Sequence, residues 1–345
     1  MNMITRVVPR GELRHQAGIV RGLGSPFVAA VLEAGQRQLS RAPLTQTLIE
    51  TWPGDPIDAA LAMRFNAALH ALARRNARPG LSALYRRHHD DFDGAIGEAL
   101  VAEDAFIAAW MRHTPQTNEV GRAAAIAAAL MVVQESFALP VELLEIGASC
   151  GLNLNLAHYG YDLAGVRAGV AESPVHVAPI WTGPPPIARS FSVVAARGID
   201  LNPLSATDAK TRERLLSFVW ADEPERAQRL EQALALAVVH PPRIDRGSAV
   251  PWLAQQLATP QDPDTCRVVF HSMVLQYMTL GDRDAIDAMI VAAGHRATPD
   301  RPIARISFER ERAHAQVELT VTCWPGGAAR LLATCHPYGN WINWR

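Results

Sequence analysis

The chain has 345 residues, more than the ~100–200 of one ordinary domain, so a main domain with a helical addition is expected. Hydrophobic residues make up 49% and charged residues 19%, which excludes long disorder and fibrous repeats. Lys and Arg number 33 against 34 Asp and Glu; that balance excludes a global field for nucleic acid or an anionic membrane and leaves a small molecule as the expected partner.

The N-terminal MNMITRVVPRGELRHQ holds no apolar run, so no signal peptide is expected. The longest apolar stretch, 123–133, falls short of the ~20 residues that a membrane helix needs. Cys150, Cys266, Cys323 and Cys335 are spread widely and form no Cys-x-x-Cys pair. They read as reduced thiols in a cytoplasmic protein, without a metal cluster or a disulfide framework.

Residues 25–137 are rich in Ala and Leu at helical spacing, with breaks at Pro53, Pro56, Pro79 and Pro115. Residues 1–139 are therefore expected to form an all-helical N-terminal domain, placed as a lid. Within it, RRHHDDFDG (86–94) sets His beside Asp, but neighbours at i and i+1 do not face one site on a helix, and a solvated face is the better reading. The last helix is predicted to start near Asn118, a good N-cap residue, and to stop before Pro140.

After Pro140, short apolar runs alternate with helical stretches, the signature of a mostly parallel sheet with crossover helices. Seven strands are predicted, at 141–146, 192–199, 242–246, 267–271, 303–308, 317–324 and 330–336. The last two are separated only by PGGAA and should pair as an antiparallel hairpin at one edge. Residues 159–189 and 207–240 read as insertions. The fold class expected for 140–345 is a doubly wound, Rossmann-like α/β sheet.

The strongest chemical signal is VELLEIGASCGLNL, an apolar strand that delivers Glu145, then Gly147 and Gly151, then a helix. Glycines at the carboxyl end of a first strand let a ligand approach the backbone, while the helix N-terminus offers N–H groups. The Gly-x-x-x-Gly spacing differs from the Gly-x-Gly-x-x-Gly of dinucleotide sites, which disfavours NAD and FAD. A tight structural turn is the alternative. At the end of the second strand, RGIDLNP places Asp200 to accept from both hydroxyls of a ribose, or else to cap the next helix.

RIDRGSAVPWL follows at the third strand and TCRVVFHSMVLQYM at the fourth. In this order the four segments resemble the class I S-adenosylmethionine-dependent methyltransferases over about 141–345, a superfamily whose sheet also ends in an antiparallel hairpin. The resemblance implies S-adenosylmethionine as cofactor, with Gly147, Ala148 and Gly151 against it, Asp200 on its ribose, and Ser248 with Ala249 facing adenine; Glu145 and Asn153 belong to the same cofactor set. Ser248 departs from the pattern, which usually has an acid there. There is also no Asn-Pro-Pro-Tyr or Asp-Pro-Pro-Tyr after the fourth strand, which disfavours amide and nucleobase amino groups as acceptors. The whole chain is also similar to bacterial domain-of-unknown-function family 2332, through PQTNEVGR, EIGASCGLN, RGIDLNP and the ending HPYGNWINW.

Methyl transfer is an in-line displacement that needs a base only when the acceptor must lose a proton. His271 and Glu119 are the candidate catalytic residues. Gln116, Asn118 and Arg122 are the candidate substrate-binding residues, with Arg122 suited to clamp a carboxylate. Structural alternatives stand beside them: Asn118 and Glu119 as helix caps, Arg122 paired with Glu119, and His271 as a satisfied core histidine. Cys150, Trp220, Trp252, Trp341 and Trp344 read as packing or interface residues. The leading expectation is a methyltransferase acting on a small molecule. A binding or regulatory protein of the same fold without transfer, and an NAD-dependent oxidoreductase, are the alternatives.

Overall fold

Three early helices, Pro26–Gln38, Pro43–Glu50 and Pro79–Tyr85, begin on proline. The missing N–H costs nothing there and the fixed φ suits the first turn. The computed structural model describes residues 11–311 and 316–345. Residues 1–10, where no signal peptide is expected, lie outside the described residues. Two units form: Met1–Thr117 with Ala209–Gln228, and Asn118–Asp208 with Arg229–Arg345. The division therefore falls at Thr117/Asn118 where 139/140 was expected, and 209–228 return to the first unit.

The first unit is helical throughout its described elements, adding Glu12–Gly22, Leu61–Arg74, Phe92–Trp110 and Ala209–Ser217. Phe27, Phe65, Leu69, Ile96 and Phe218 are buried in its core. The RRHHDDFDG segment serves structure: Asp91 caps the helix Phe92–Trp110 by accepting from Gly94 N–H, and Asp93 pairs with the Arg37 guanidinium. His70, buried and stacked on Tyr85, is pushed down to about 4 by desolvation. Gln116 belongs to this unit, where its Oε1 accepts from Arg214 at 3.1 Å.

The second unit is a mixed α/β fold. Its strands are β1 Val141–Ile146, β2 Gly160–Leu163, β3 Val166–Gly169, β4 His176–Val177, β5 Ile180–Thr182, β6 Val193–Asp200, β7 Ile244–Arg246, β8 Cys266–Ser272, β9 Ile303–Arg310, β10 Val317–Trp324, β11 Ala329–Cys335 and β12 Trp341–Trp344. Nine of them form one sheet in the order β5-β12-β11-β10-β9-β8-β1-β6-β7, and β3-β2-β4 form a small second sheet. All seven predicted strands are present. β5 and β12 raise the count to nine, because runs of three and four residues carry too little pattern to be read. For the same reason the β10–β11 hairpin is not at the edge: β12 and then β5 lie outside β11.

β1 pairs in parallel with β6 on one side and β8 on the other, so chain order reverses between β1 and β8. Ligands of open α/β sheets sit at the carboxyl ends of strands around such a reversal. Leu144 and Ile146 face a core shared with Ile286, Ile290, Trp252 and Leu253 from the helices Leu280–Gly294 and Ala249–Ala258. Alternation turns Leu143 and Glu145 to the opposite face. The helix Ala123–Phe137 packs on β9 and β10, and every residue from Ala123 to Gln134 is buried. Among the described residues, Val120–Phe137 is the one span long and apolar enough to cross a membrane, and 78% of it is buried inside the protein. Such burial is what a central core helix requires.

Candidate functional site

Three residues in the turn after β1 take left-handed backbone: Gly147 at φ 75°, Ser149 at φ 55° and Gly151 at φ 70°. The turn leads into the expected helix, which is a short 3₁₀ helix, Leu152–His158. Tyr159 and Tyr161, both buried, donate their hydroxyls to the carbonyls of Leu152 and Leu156 at 2.5 and 2.7 Å. Those carbonyls thus have partners outside the helix that carries them.

The backbone donors of this turn are already committed. Gly147 and Ala148 N–H reach Ile199 O, and Gly151 N–H reaches Ala148 O. Ser149 N–H is accepted by Asp200 Oδ2 at 2.8 Å. Cys150 and Leu152 N–H both point to Asn118 Oδ1, at 3.1 and 3.2 Å. The ring of bare N–H groups that makes a strand-to-helix turn attractive to phosphate is absent from residues 147–152.

The unmet groups here are side-chain oxygens. Glu145 Oε2, Asn153 Oδ1 and the Ser149 hydroxyl are buried without a hydrogen-bond partner among the described residues, with Glu145 and Asn153 each 1% exposed. Buried polar atoms are almost always paired, and these three orphans lie at the end of β1, in the turn and at the start of the 3₁₀ helix. Desolvation, with the nearby Asp200 charge adding to it, holds the Glu145 carboxyl well above its usual range, against a smaller opposing pull from Arg122. Cys150 is pushed up to about 12 by burial, so the thiol beside the turn is packing rather than a nucleophile.

Asn118, Glu119 and Arg122 come to this turn, whereas Gln116 lies in the other unit. Asn118 is not a helix N-cap. Its backbone is left-handed, at φ 38°, and its side chain caps the turn after β1 instead. Glu119 is buried and caps the 3₁₀ turn Val120–Arg122, accepting from Gly121 N–H at 3.0 Å. Asn153 Nδ2 donates to Glu119 O at 3.4 Å. Arg122 donates to Pro337 O at 2.8 Å and to Ser272 O at 3.0 Å, joining the C-terminal segment to the end of β8. Replacing Asn118 by Ala strips two buried N–H groups of their acceptor; the expected loss is about 1–2 kcal/mol in urea unfolding, and an unchanged midpoint would refute the capping role.

At the end of β6, Asp200 accepts from Ser149 N–H and, through Oδ1, from Asn202 N–H at 2.8 Å. One lone pair on each oxygen is left over for further donors. Ser248 stands exposed at the N-cap of the helix Ala249–Ala258 without capping it, and Ala249 is half-buried. The acid near the third strand is Asp245, on β7, whose carboxylate is held low by the bidentate Arg197 and also takes Trp252 Nε1–H at 2.6 Å. His271, at 0% exposure, has both ring nitrogens engaged: Nδ1 with Glu309 at 2.9 Å and Nε2 with Arg305 at 3.0 Å. A histidine so bound has no lone pair for proton abstraction, which is the satisfied-core alternative.

Sequence reasoning missed Ser149, Glu309, Arg305 and the turn at Tyr338–Gly339. The last had a visible signal, since PYGN is turn chemistry. The other three are ordinary residues until the fold brings them together.

Among known proteins, the profile of a bacterial family described as "uncharacterized protein conserved in bacteria (DUF2332)" matches residues 10–344. The chain belongs to this family. No curated protein matches it.

Proposed function

We propose that the second unit binds S-adenosylmethionine over the turn at 145–151 and transfers its methyl group to a small molecule. One observation carries this reading: the backbone donors of the turn are spent, and three buried oxygens around it are unmet, one of them on the Glu145 carboxyl, which becomes an acceptor once an ammonium draws off its proton. A ligand that brings an ammonium and hydroxyl groups meets that demand, whereas a pyrophosphate needs the N–H groups that are already used. The dinucleotide alternative loses its main support for this reason. In this reading the sheet, with β6 and β7 on one side of β1 and β8 and β9 on the other, is the methyltransferase type of doubly wound sheet.

The residue roles follow from the chemistry. Glu145, Ser149 and Asn153 receive the amino-acid end of the cofactor, and the remaining lone pairs of Asp200 receive the ribose hydroxyls. Gly147, Ala148 and Gly151 form the floor, and Ser248 with Ala249 lies toward the base. Arg122 is the candidate for an acceptor's carboxylate. Since His271 is fully engaged and Glu119 caps Gly121, neither candidate base is free to take a proton among the described residues, which fits an acceptor whose lone pair is already available.

The same commitment of His271 and Glu119 favours a second reading, a binding protein of this fold that performs no transfer. Calorimetric titration with S-adenosylmethionine and S-adenosylhomocysteine tests both. Wild type is expected to bind each, and Asp200→Ala to weaken binding by about 1–3 kcal/mol through the lost charged acceptor. Absence of binding by wild type sinks the proposal. Binding without a labelled product, in a screen of metabolite extracts with a labelled methyl donor, selects the second reading.

A further inference from the structure

We infer that Asp287, Arg305, His271 and Glu309 form a positioning chain that fixes the turn after β8 against the turn after β1, and so set how tightly the site closes on its ligand. The inference rests on the proposed ligand site. His271 on β8 lies opposite Ser307 on β9, and Arg305 and Glu309 are two residues to either side of Ser307. These three therefore share one face of β9, and Arg305 and Glu309 flank the imidazole diagonally.

Arg305 Nε donates to His271 Nε2. A guanidinium has no acceptor, so Nε2 must carry the lone pair and Nδ1 the proton. The Nδ1–H then donates to Glu309 Oε1, and the same oxygen accepts from Val274 N–H at 3.1 Å and Leu275 N–H at 3.4 Å. At the other end Arg305 pairs with Asp287 at 2.6 Å, on the helix Leu280–Gly294 that follows the turn.

The chain thus ties β8, β9, the root of the turn and the following helix into one closed loop. Its product is the place of Val274. A Cβ built on Gly147 would lie 2.4 Å from Val274 Cγ2, so this side chain sits directly on the glycine of the candidate site. Met273, just before it, takes left-handed backbone at φ 56° and is held by its N–H to Phe308 O at 2.8 Å. Beyond the anchored root the tip is open, with Tyr277 79% exposed. Glu309 holds the root, and the root sets where the tip meets a ligand.

The test compares Glu309→Ala, which removes the anchor, with Glu309→Gln, which keeps an acceptor oxygen at the same place. In Glu309→Ala, amide exchange at Val274 and Leu275 is expected to accelerate while Glu145 and Ile146 stay protected. The affinity for S-adenosylhomocysteine should fall about tenfold or more, the loss typical of freeing a charge-assisted hydrogen bond. Glu309→Gln should restore both to within about threefold of wild type, on the scale where 1.4 kcal/mol is tenfold. Nitrogen NMR of wild type should show His271 protonated at Nδ1 alone. The inference is overturned by unchanged exchange at 274–275, by loss of protection throughout the sheet, by faster exchange with unchanged affinity, or by the other tautomer. Wild type that binds no S-adenosyl ligand fails the proposed function instead, and the exchange and tautomer measurements then judge the positioning chain separately.

Discussion

Replacing Glu145 by Gln is expected to make the protein more stable as pH rises and at the same time to abolish tight ligand binding. The carboxyl is buried, and its folded-state pKa lies well above the ordinary 4.5. Below about pH 4.5 both folded and unfolded chains hold the proton, and the group has no pH-dependent effect. Above that, the unfolded chain releases the proton while the folded chain keeps it, so stability falls until pH passes the folded-state value. The slope for one proton is about 1.4 kcal/mol per pH unit. Gln has nearly the same shape and no proton to release, so its advantage over wild type should widen as pH rises above the ordinary carboxyl range. Urea unfolding of both proteins at three pH values measures this, and parallel curves would show that Glu145 ionises freely in the folded state. Binding should move the other way. An ammonium placed at Oε2 draws the proton off Glu145, so wild-type affinity rises with pH and binding releases a proton into the buffer. Glu145→Gln, unable to supply the charge, should lose about 3 kcal/mol, roughly two orders of magnitude in Kd. Calorimetry in two buffers of different ionisation enthalpy reads both effects. A buried, unmatched carboxyl that weakens the fold is the expected mark of a group kept for a ligand.

Periodicity made β1, β6, β8, β9, β10 and β11 readable, because each is an apolar run bounded by turn residues. It failed at β5 and β12, whose pattern spans too few residues, and at β2–β4, which lie in a stretch that reads as an insertion. The helix Ala123–Phe137 groups with the second unit, one helix before the expected boundary at 139/140. The run AAAIAAALMVVQ looks like a continuation of the helical half, yet it is apolar on every side, and a helix of that kind belongs in a core between layers. The candidate site divides in the same way. Glu145, Gly147, Gly151 and Asp200 are legible because strand ends and turn glycines fix them within a few residues along the chain. The duty of Asn118 is illegible, since capping Cys150 and Leu152 depends on where two distant segments meet. His271 is visible at a strand end, but what it does is decided by Arg305 and Glu309 on the neighbouring strand.

The largest stability loss is expected from Gly339→Ala, and its reason lies in how the C-terminal turn is seated. Gly339 has φ 73°, and a Cβ there would stand 2.3 Å from Gly121 C, 2.4 Å from Gly121 O and 2.8 Å from Arg122 N. From the other side, a Cβ on Gly121 would stand 2.3 Å from Tyr338 O. Two glycines thus let backbone pack on backbone where PQTNEVGR and HPYGNW meet. Neither partner is a flexible side chain that turns aside. Left-handed backbone costs Ala about 1–2 kcal/mol, and overpacking against rigid neighbours adds about 1–3 kcal/mol, so a loss of roughly 2–5 kcal/mol is expected. Gly165→Ala supplies the control: its φ of 85° carries the same conformational cost, but nothing lies within 4 Å of the added methyl. The difference between the two variants isolates the close approach. It should exceed about 1 kcal/mol in thermal or urea unfolding, and equal losses would mean that the turns do not press on each other. The damage should also reach the site. Arg122 is held by Pro337 O and opposes the upward shift of Glu145. A displaced C-terminal turn moves that guanidinium, so Gly339→Ala should weaken S-adenosylhomocysteine binding even at temperatures where the variant is fully folded, whereas Gly165→Ala should leave it unchanged.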